Sequence, residues 1–184
     1  MPYFLRDNAT FANNSVNGMK RSITEEDIRA ARVKYDSYGS EWKKEYFDEK
    51  SGGYNVYHEK HNFSKKGGGG EAEKEVGKML AKYGKQVEFL SETATKTPDI
   101  KFDGKTWDIK FINKSNEETI RIYIKDARKA DNAIFYWKNT SDKTAPLISA
   151  IARCEGYFKR RNELHTMPNI YYMDGSKLKL LWSK

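Results

Sequence analysis

Residues 1–21 are rich in Asn, Ser and Gly, offer few apolar anchors, and receive no chemical role. Thr24 followed by Glu25, Glu26 and Asp27 reads as a helix N-cap with acids in the first turn, and Ile28, Ala31 and Tyr35 then recur at helical spacing. Ser40 to Glu49 reads as a second short helix closed by Gly52-Gly53, and Tyr54 to His58 alternates like a strand. Lys65-Lys66 and four glycines, Gly67 to Gly70, follow; they read as a linker, because a phosphate-cradling loop would end in Gly-Lys-Ser/Thr. The predicted organisation is a helical and irregular region over 1–66, a glycine linker over 67–70, and a folded domain over 71–184.

The pattern sharpens after Gly70. Val76, Met79, Leu80 and Tyr83 make one apolar stripe on a helix from Glu71 to Tyr83, with Gly84 at its C-terminal cap. Gln86 to Leu90, Asp99 to Phe102 and Thr106 to Ile112 read as strands, the last two joined by Asp103-Gly104, the signature of a two-residue type I′ hairpin. Glu117 to Ala130 is helical, Ala133 to Trp137 a buried strand, and Leu147 to Arg161 a helix. A second hairpin follows, Asn169 to Met173 and Lys177 to Trp182 turning at Asp174-Gly175. The order αβββαβαββ predicts an α/β (α+β) fold with a mixed central sheet flanked by helices.

Counting back from the Asp103-Gly104 turn puts Asp99 opposite Asp108, two like charges that need a cation, a shared proton or water. Lys110 shares the face of Asp108, while Trp107, Ile109 and Phe111 point the other way. A divalent ion, Mg²⁺ or Mn²⁺, held by the two aspartates would relieve the repulsion, activate water and neutralise charge on a phosphate. Lys110 could then orient the attacking water or balance the developing charge. Glu73, on the inward stripe of the preceding helix, supplies a third acid; Glu71 and Glu75 are rotated away. The competing reading is a water-facing hairpin whose charges only solvate it.

These residues resemble a known pattern. Pro98-Asp99, a short gap and Asp108-Ile109-Lys110, behind a helix bearing Glu73 and within an αβββαβ order, look like the PD-(D/E)xK nuclease superfamily. The segment from about Gly70 to Trp137, including KMLAKYGKQVEFL and TPDIKFDGKTWDIKF, is more closely similar to the C-terminal tRNase toxin domains of bacterial contact-dependent growth inhibition systems and to related proteins of mobile elements. The resemblance implies a metal-dependent nuclease with Glu73, Asp99 and Asp108 as metal ligands and Lys110 as the superfamily lysine. It further implies an RNA substrate, tRNA above all, a cognate immunity protein, and action in the cytoplasm or after delivery into a target-cell cytoplasm. Several toxin domains lack the lysine, so this sequence sits nearer the general nuclease pattern, which leaves a DNA substrate open; the Val-Glu-Asn-Asn motif that commonly precedes toxin domains is absent here.

Composition adds a bias toward polyanions. The 184 residues carry 34 Lys+Arg against 26 Asp+Glu, a formal charge of +8, and summed basic fields attract phosphates. Arg121, Lys125 and Arg128 recur on the helix face opposite Ile120 and Ile124 and are candidate nucleic-acid contacts, as is the cluster Lys159 to Arg161. No apolar run reaches the roughly 20 residues of a membrane span, and the N-terminus has no secretory pattern. The single cysteine, Cys154, excludes an internal disulfide and lies among apolar helix positions, so it reads as core. Two alternatives stand beside the metal site: His58 and His61 in YHEKHNF as the acid and base of a metal-free ribonuclease, and a non-catalytic nucleic-acid-binding module.

Overall fold

The computed structural model describes residues 22–65, 68–92, 96–113, 115–138, 142–174 and 177–184. Four α-helices and eight strands are found among them, a mixed α+β fold, and from the second helix onward their order is the αβββαβαββ read from the sequence. The chain divides into two compact units between Lys105 and Thr106, not at the glycine run.

The first unit opens with α1 (Glu25–Asp36), started by a capping box in which Thr24 accepts from the Asp27 amide and the Asp27 side chain accepts from the Thr24 amide. The segment read as a second helix is instead a strand, β1 (Trp42–Phe47), antiparallel to β2 (Tyr54–His58) with a bulge between Lys44 and Tyr46. Its aromatic residues explain the difference. Trp42 meets His58 edge-on at 5.3 Å, and Phe47 stacks on Tyr54, so packing across the pair outweighs the helix preference of the lysines and glutamates between them. Tyr35 of α1 completes this small cluster with Tyr54 and Val56.

The predicted linker also differs. α2 runs Gly69–Lys82, so two of the four glycines are helical. A Cβ on Gly70 would lie 1.6 Å from the Phe63 carbonyl oxygen, and one on Gly77 would lie 2.6 Å from the Phe89 ring. These glycines are approach points rather than joints. β3 (Gln86–Phe89) pairs in parallel with β2 and antiparallel with β4 (Ile100–Phe102). Asp103 and Gly104, at φ 51° and 70°, provide the two positive-φ positions of a type I′ turn into the next strand.

In the second unit β5 (Lys105–Phe111), β6 (Asn132–Trp137) and β7 (Asn169–Asp174) are parallel neighbours, and β8 (Lys177–Trp182) returns antiparallel to β7. The Gly175 end of that last hairpin lies outside the described residues. α3 (Glu117–Asp126), followed by a 3-10 turn (Ala127–Lys129), and α4 (Thr144–Arg160) supply Ile120, Ile124, Leu147, Ile151 and Phe158 to one core with Phe135 and Ile170. Every residue of β6 is buried, as expected of a parallel strand covered on both faces. Cys154 belongs to this core, and burial pushes its thiol pKa up, so it is no nucleophile.

Candidate active site

In the first unit the apolar stripe of α2 carries one charged residue inward, Glu73, 2% exposed. Its Oε1 lies 2.5 Å from Lys65 Nζ, and the same ammonium stands 3.1 Å from Asp99 Oδ1 and 3.1 Å from Glu92 Oε1. Three carboxylates therefore converge on one cation. Burial works against the charge of Lys65, but Asp99 and Glu73 outweigh it and hold the lysine above its ordinary range.

The other oxygen of Glu73 faces His61 Nε2 at 3.1 Å, while His61 Nδ1 lies 2.7 Å from the Leu90 carbonyl oxygen. Each ring nitrogen thus faces an oxygen. The His61 side chain is fully buried and packs on Phe63 and Phe89. That enclosure argues against His58 and His61 as a ribonuclease pair: an acid or base must reach the substrate's proton, and the buried His61 ring faces Glu73, Glu92 and the Leu90 carbonyl.

In the second unit β5 places Asp108 and Lys110 on one face, two residues apart. Asp108 is fully buried. Lys110 Nζ lies 2.7 Å from its Oδ2 and Lys129 Nζ 2.9 Å from its Oδ1, so each carboxylate oxygen has its own ammonium. Lys110 also donates to Asp126 Oδ2 at 2.8 Å. Burial lowers the Lys110 pKa, but Asp108 and Asp126 outweigh it and raise the group above the usual lysine range. Local structure delivers these groups: α3 ends at Asp126, and the 3-10 turn after it presents Lys129. Thr106 donates its amide and hydroxyl to Asp131, whose own amide donates back to Thr106, which fixes the start of β5 beside the approach to β6.

The water-facing hairpin is excluded by these burials: Asp99 is 5% exposed and Asp108 0%. The carboxylates offer the hard oxygen donors that Mg²⁺ or Mn²⁺ prefers. In each unit, however, those oxygens converge on lysine ammoniums, and among the described residues no three His, Cys, Asp or Glu side chains are arranged to hold a metal ion. The donors fit the ion in chemical kind; binding requires a lysine to turn aside.

Of the predicted residues, Glu73 and Asp99 come together in the first unit, and Asp108 with Lys110 in the second. Sequence reasoning missed Lys65, Glu92, Asp126 and Lys129. Lys65 lies in a stretch read as linker, and Lys129 lies inside the Glu117 to Ala130 segment read as helix, whose other basic residues were assigned to solvent or phosphate. Among those, Arg121 is largely covered and paired with Glu118, Lys125 lies over Tyr157, and Arg128 lies over Phe158 and near Glu163.

Residues 96–169 match the family model of the contact-dependent growth inhibition CdiA C-terminal domain. The chain is thus similar, over under half its length, to a contact-dependent growth inhibition toxin domain. The matched stretch contains Asp99, Asp108, Lys110, Asp126 and Lys129, and begins after Glu73, Lys65 and His61. No curated protein and no solved structure matches the chain. No helix among the described residues is long and apolar enough to cross a membrane.

Proposed function

We propose that this chain is a toxin-like nuclease of the PD-(D/E)xK type that hydrolyses phosphodiester bonds in RNA, tRNA in preference to duplex DNA, after delivery into a target-cell cytoplasm. The observation that carries the reading is Asp108: a fully buried carboxylate, in the stretch similar to growth-inhibition toxin domains, with an ammonium on each oxygen. Burying such a group costs stability that apolar residues of similar volume would not cost, so its presence at a fully buried position of β5 calls for a chemical use.

In this reading Asp108 is a ligand of Mg²⁺ or Mn²⁺, the role that the resemblance also implies for Glu73 and Asp99, and the ion, when bound, would activate water and neutralise charge on the phosphate. Lys110, freed from Asp108, orients that water or meets the negative charge that develops on the phosphate. Lys65 and Lys129 compensate the carboxylates before the ion arrives. The same similarity supports a cognate immunity protein as partner. Incubation of the wild type and Asp108→Asn with total tRNA, duplex DNA and single-stranded DNA, with divalent ion or with EDTA, tests the proposal. Metal-dependent cutting of tRNA by the wild type alone supports it; equal or faster cutting of duplex DNA moves the protein to a DNA endonuclease with the same site.

A further inference from the structure

Where the end of α3 meets the end of α4, several cations are positioned that the proposed chemistry does not use. Lys125 Nζ lies 4.2 Å and Arg161 Cζ 5.2 Å from the centroid of the Tyr157 ring, and Arg128 Cζ lies 5.3 Å from that of Phe158. Aromatic faces attract cations without neutralising them, so these groups are held in place with their charge still available. One carboxylate, Glu163, serves both guanidiniums, 3.4 Å from Arg128 Nη1 and 3.5 Å from Arg161 Nε. Both distances exceed the roughly 2.7–2.9 Å of a charge-assisted hydrogen bond. Arg128 and Arg161 are about half exposed, at 43% and 56% of their side-chain surface.

We propose that Lys125, Arg128 and Arg161 form a binding surface for the phosphate backbone of the RNA substrate, and that Glu163 is the anion which the phosphate displaces. The assignment to substrate rests on the nuclease reading, and chain connectivity favours it: Arg128 and Lys129 are consecutive in one 3-10 turn, the first turned to this surface and the second to Asp108. A backbone laid across Arg128 therefore passes the turn that also holds the carboxylate. Phosphates satisfy guanidinium groups bidentately, which the loose contact to Glu163 does not.

The test is fluorescence anisotropy on the full chain, with a fluorescein-labelled 12-nucleotide single-stranded RNA in EDTA across a salt series. A DNA oligonucleotide of the same sequence serves as a second arm. The Lys125→Ala/Arg161→Ala variant is expected to bind RNA at least ten-fold more weakly. Its log–log salt slope should be shallower by about 1.4, two contacts at ~0.7 each for a single strand. Glu163→Gln, which removes the competing anion, should bind several-fold tighter. Melting temperatures near that of the wild type certify that the variants are folded. Unchanged affinity and slope in the double variant, or weaker binding by Glu163→Gln, overturns the proposal and leaves the surface to an acidic protein partner. Tighter binding of the DNA arm overturns the assignment to RNA. Cleavage is scored separately: these shifts without any tRNA cutting would remove the nuclease reading and leave the surface, and cutting without the shifts would do the reverse.

Discussion

Lys129 Nζ stands 2.9 Å from Asp108 Oδ1, the oxygen of that buried carboxylate which Lys110 does not hold. The two residues are distant in sequence, and their meeting sets two ammoniums, Lys110 and Lys129, against two carboxylates, Asp108 and Asp126. Lys129→Met would leave Asp108 with a single cation in a buried setting, and hydrogen bonds to charged groups contribute about 1.5–3 kcal/mol each. A loss of ~2 kcal/mol in urea denaturation at neutral pH is expected. In a double-mutant cycle with Asp108→Asn, part of that loss should vanish. Strict additivity would mean that the pair is not coupled.

Lys65 plays the corresponding part in the first unit. Its pKa lies above the usual value near 10.4 because Glu73 and Asp99 outweigh the cost of its burial. A group whose pKa rises on folding contributes stability that is fully present below its unfolded value and is lost only as pH rises through the folded one. Lys65→Met should therefore melt at lower temperature than the wild type by a gap that is constant from pH 6 to 9. A gap that closes within that range would contradict the assignment of Lys65 as the shared cation.

The two neighbouring histidines should behave differently. His61 is enclosed, with both nitrogens on oxygens, whereas His58 lies partly exposed on β2 and accepts from the Lys60 amide. His61→Ala is expected to destabilise by ~2–4 kcal/mol, as a buried polar truncation does. His58→Ala should stay close to wild type in stability and in cleavage. Activity that persists in EDTA, yields a 2′,3′-cyclic phosphate and disappears in His58→Ala would restore the histidine mechanism.

Adjacent glycines make a steric test of the α2 entry. A Cβ on Gly69 would make ordinary contact with the Lys65 side chain, 3.4 Å from its Cβ, while a Cβ on Gly70 would collide with the Phe63 carbonyl at 1.6 Å. Gly69→Ala should be neutral or stabilising by up to ~1 kcal/mol through helix propensity. Gly70→Ala should cost ~1–3 kcal/mol or more, because backbone cannot yield as a side chain does. Urea midpoints that rank the two variants the other way would show that α2 does not begin at Gly69.

Much of this fold was legible in periodicity. The α2 stripe placed Glu73 inward, the Asp103-Gly104 pair fixed a turn at the right residues, and the unbroken apolar run of β6 gave a buried strand. β1 was not legible, because WKKEYF has helix-forming charged residues locally and becomes a strand through its pairing with β2 and the packing of Trp42 and Phe47. Nor was the role of the glycine run, where Gly70 is required by a neighbour, the Phe63 carbonyl, that sequence spacing does not reveal. Glu73, Asp99, Asp108 and Lys110 were readable from pattern, whereas Lys65, Glu92, Asp126 and Lys129 were not. A carboxylate on an inward face shows itself by breaking an apolar period; the ammonium that compensates it can come from any loop within reach.

The most direct measurement is electrophoretic analysis of total tRNA incubated with purified wild-type protein and with Asp108→Asn, in Mg²⁺ or Mn²⁺ and in EDTA. The account predicts discrete cleavage products from the wild type with the metal, none in EDTA, and none from the variant under either condition. Cleavage by Asp108→Asn at the wild-type rate, or products that form equally well in EDTA, would contradict it.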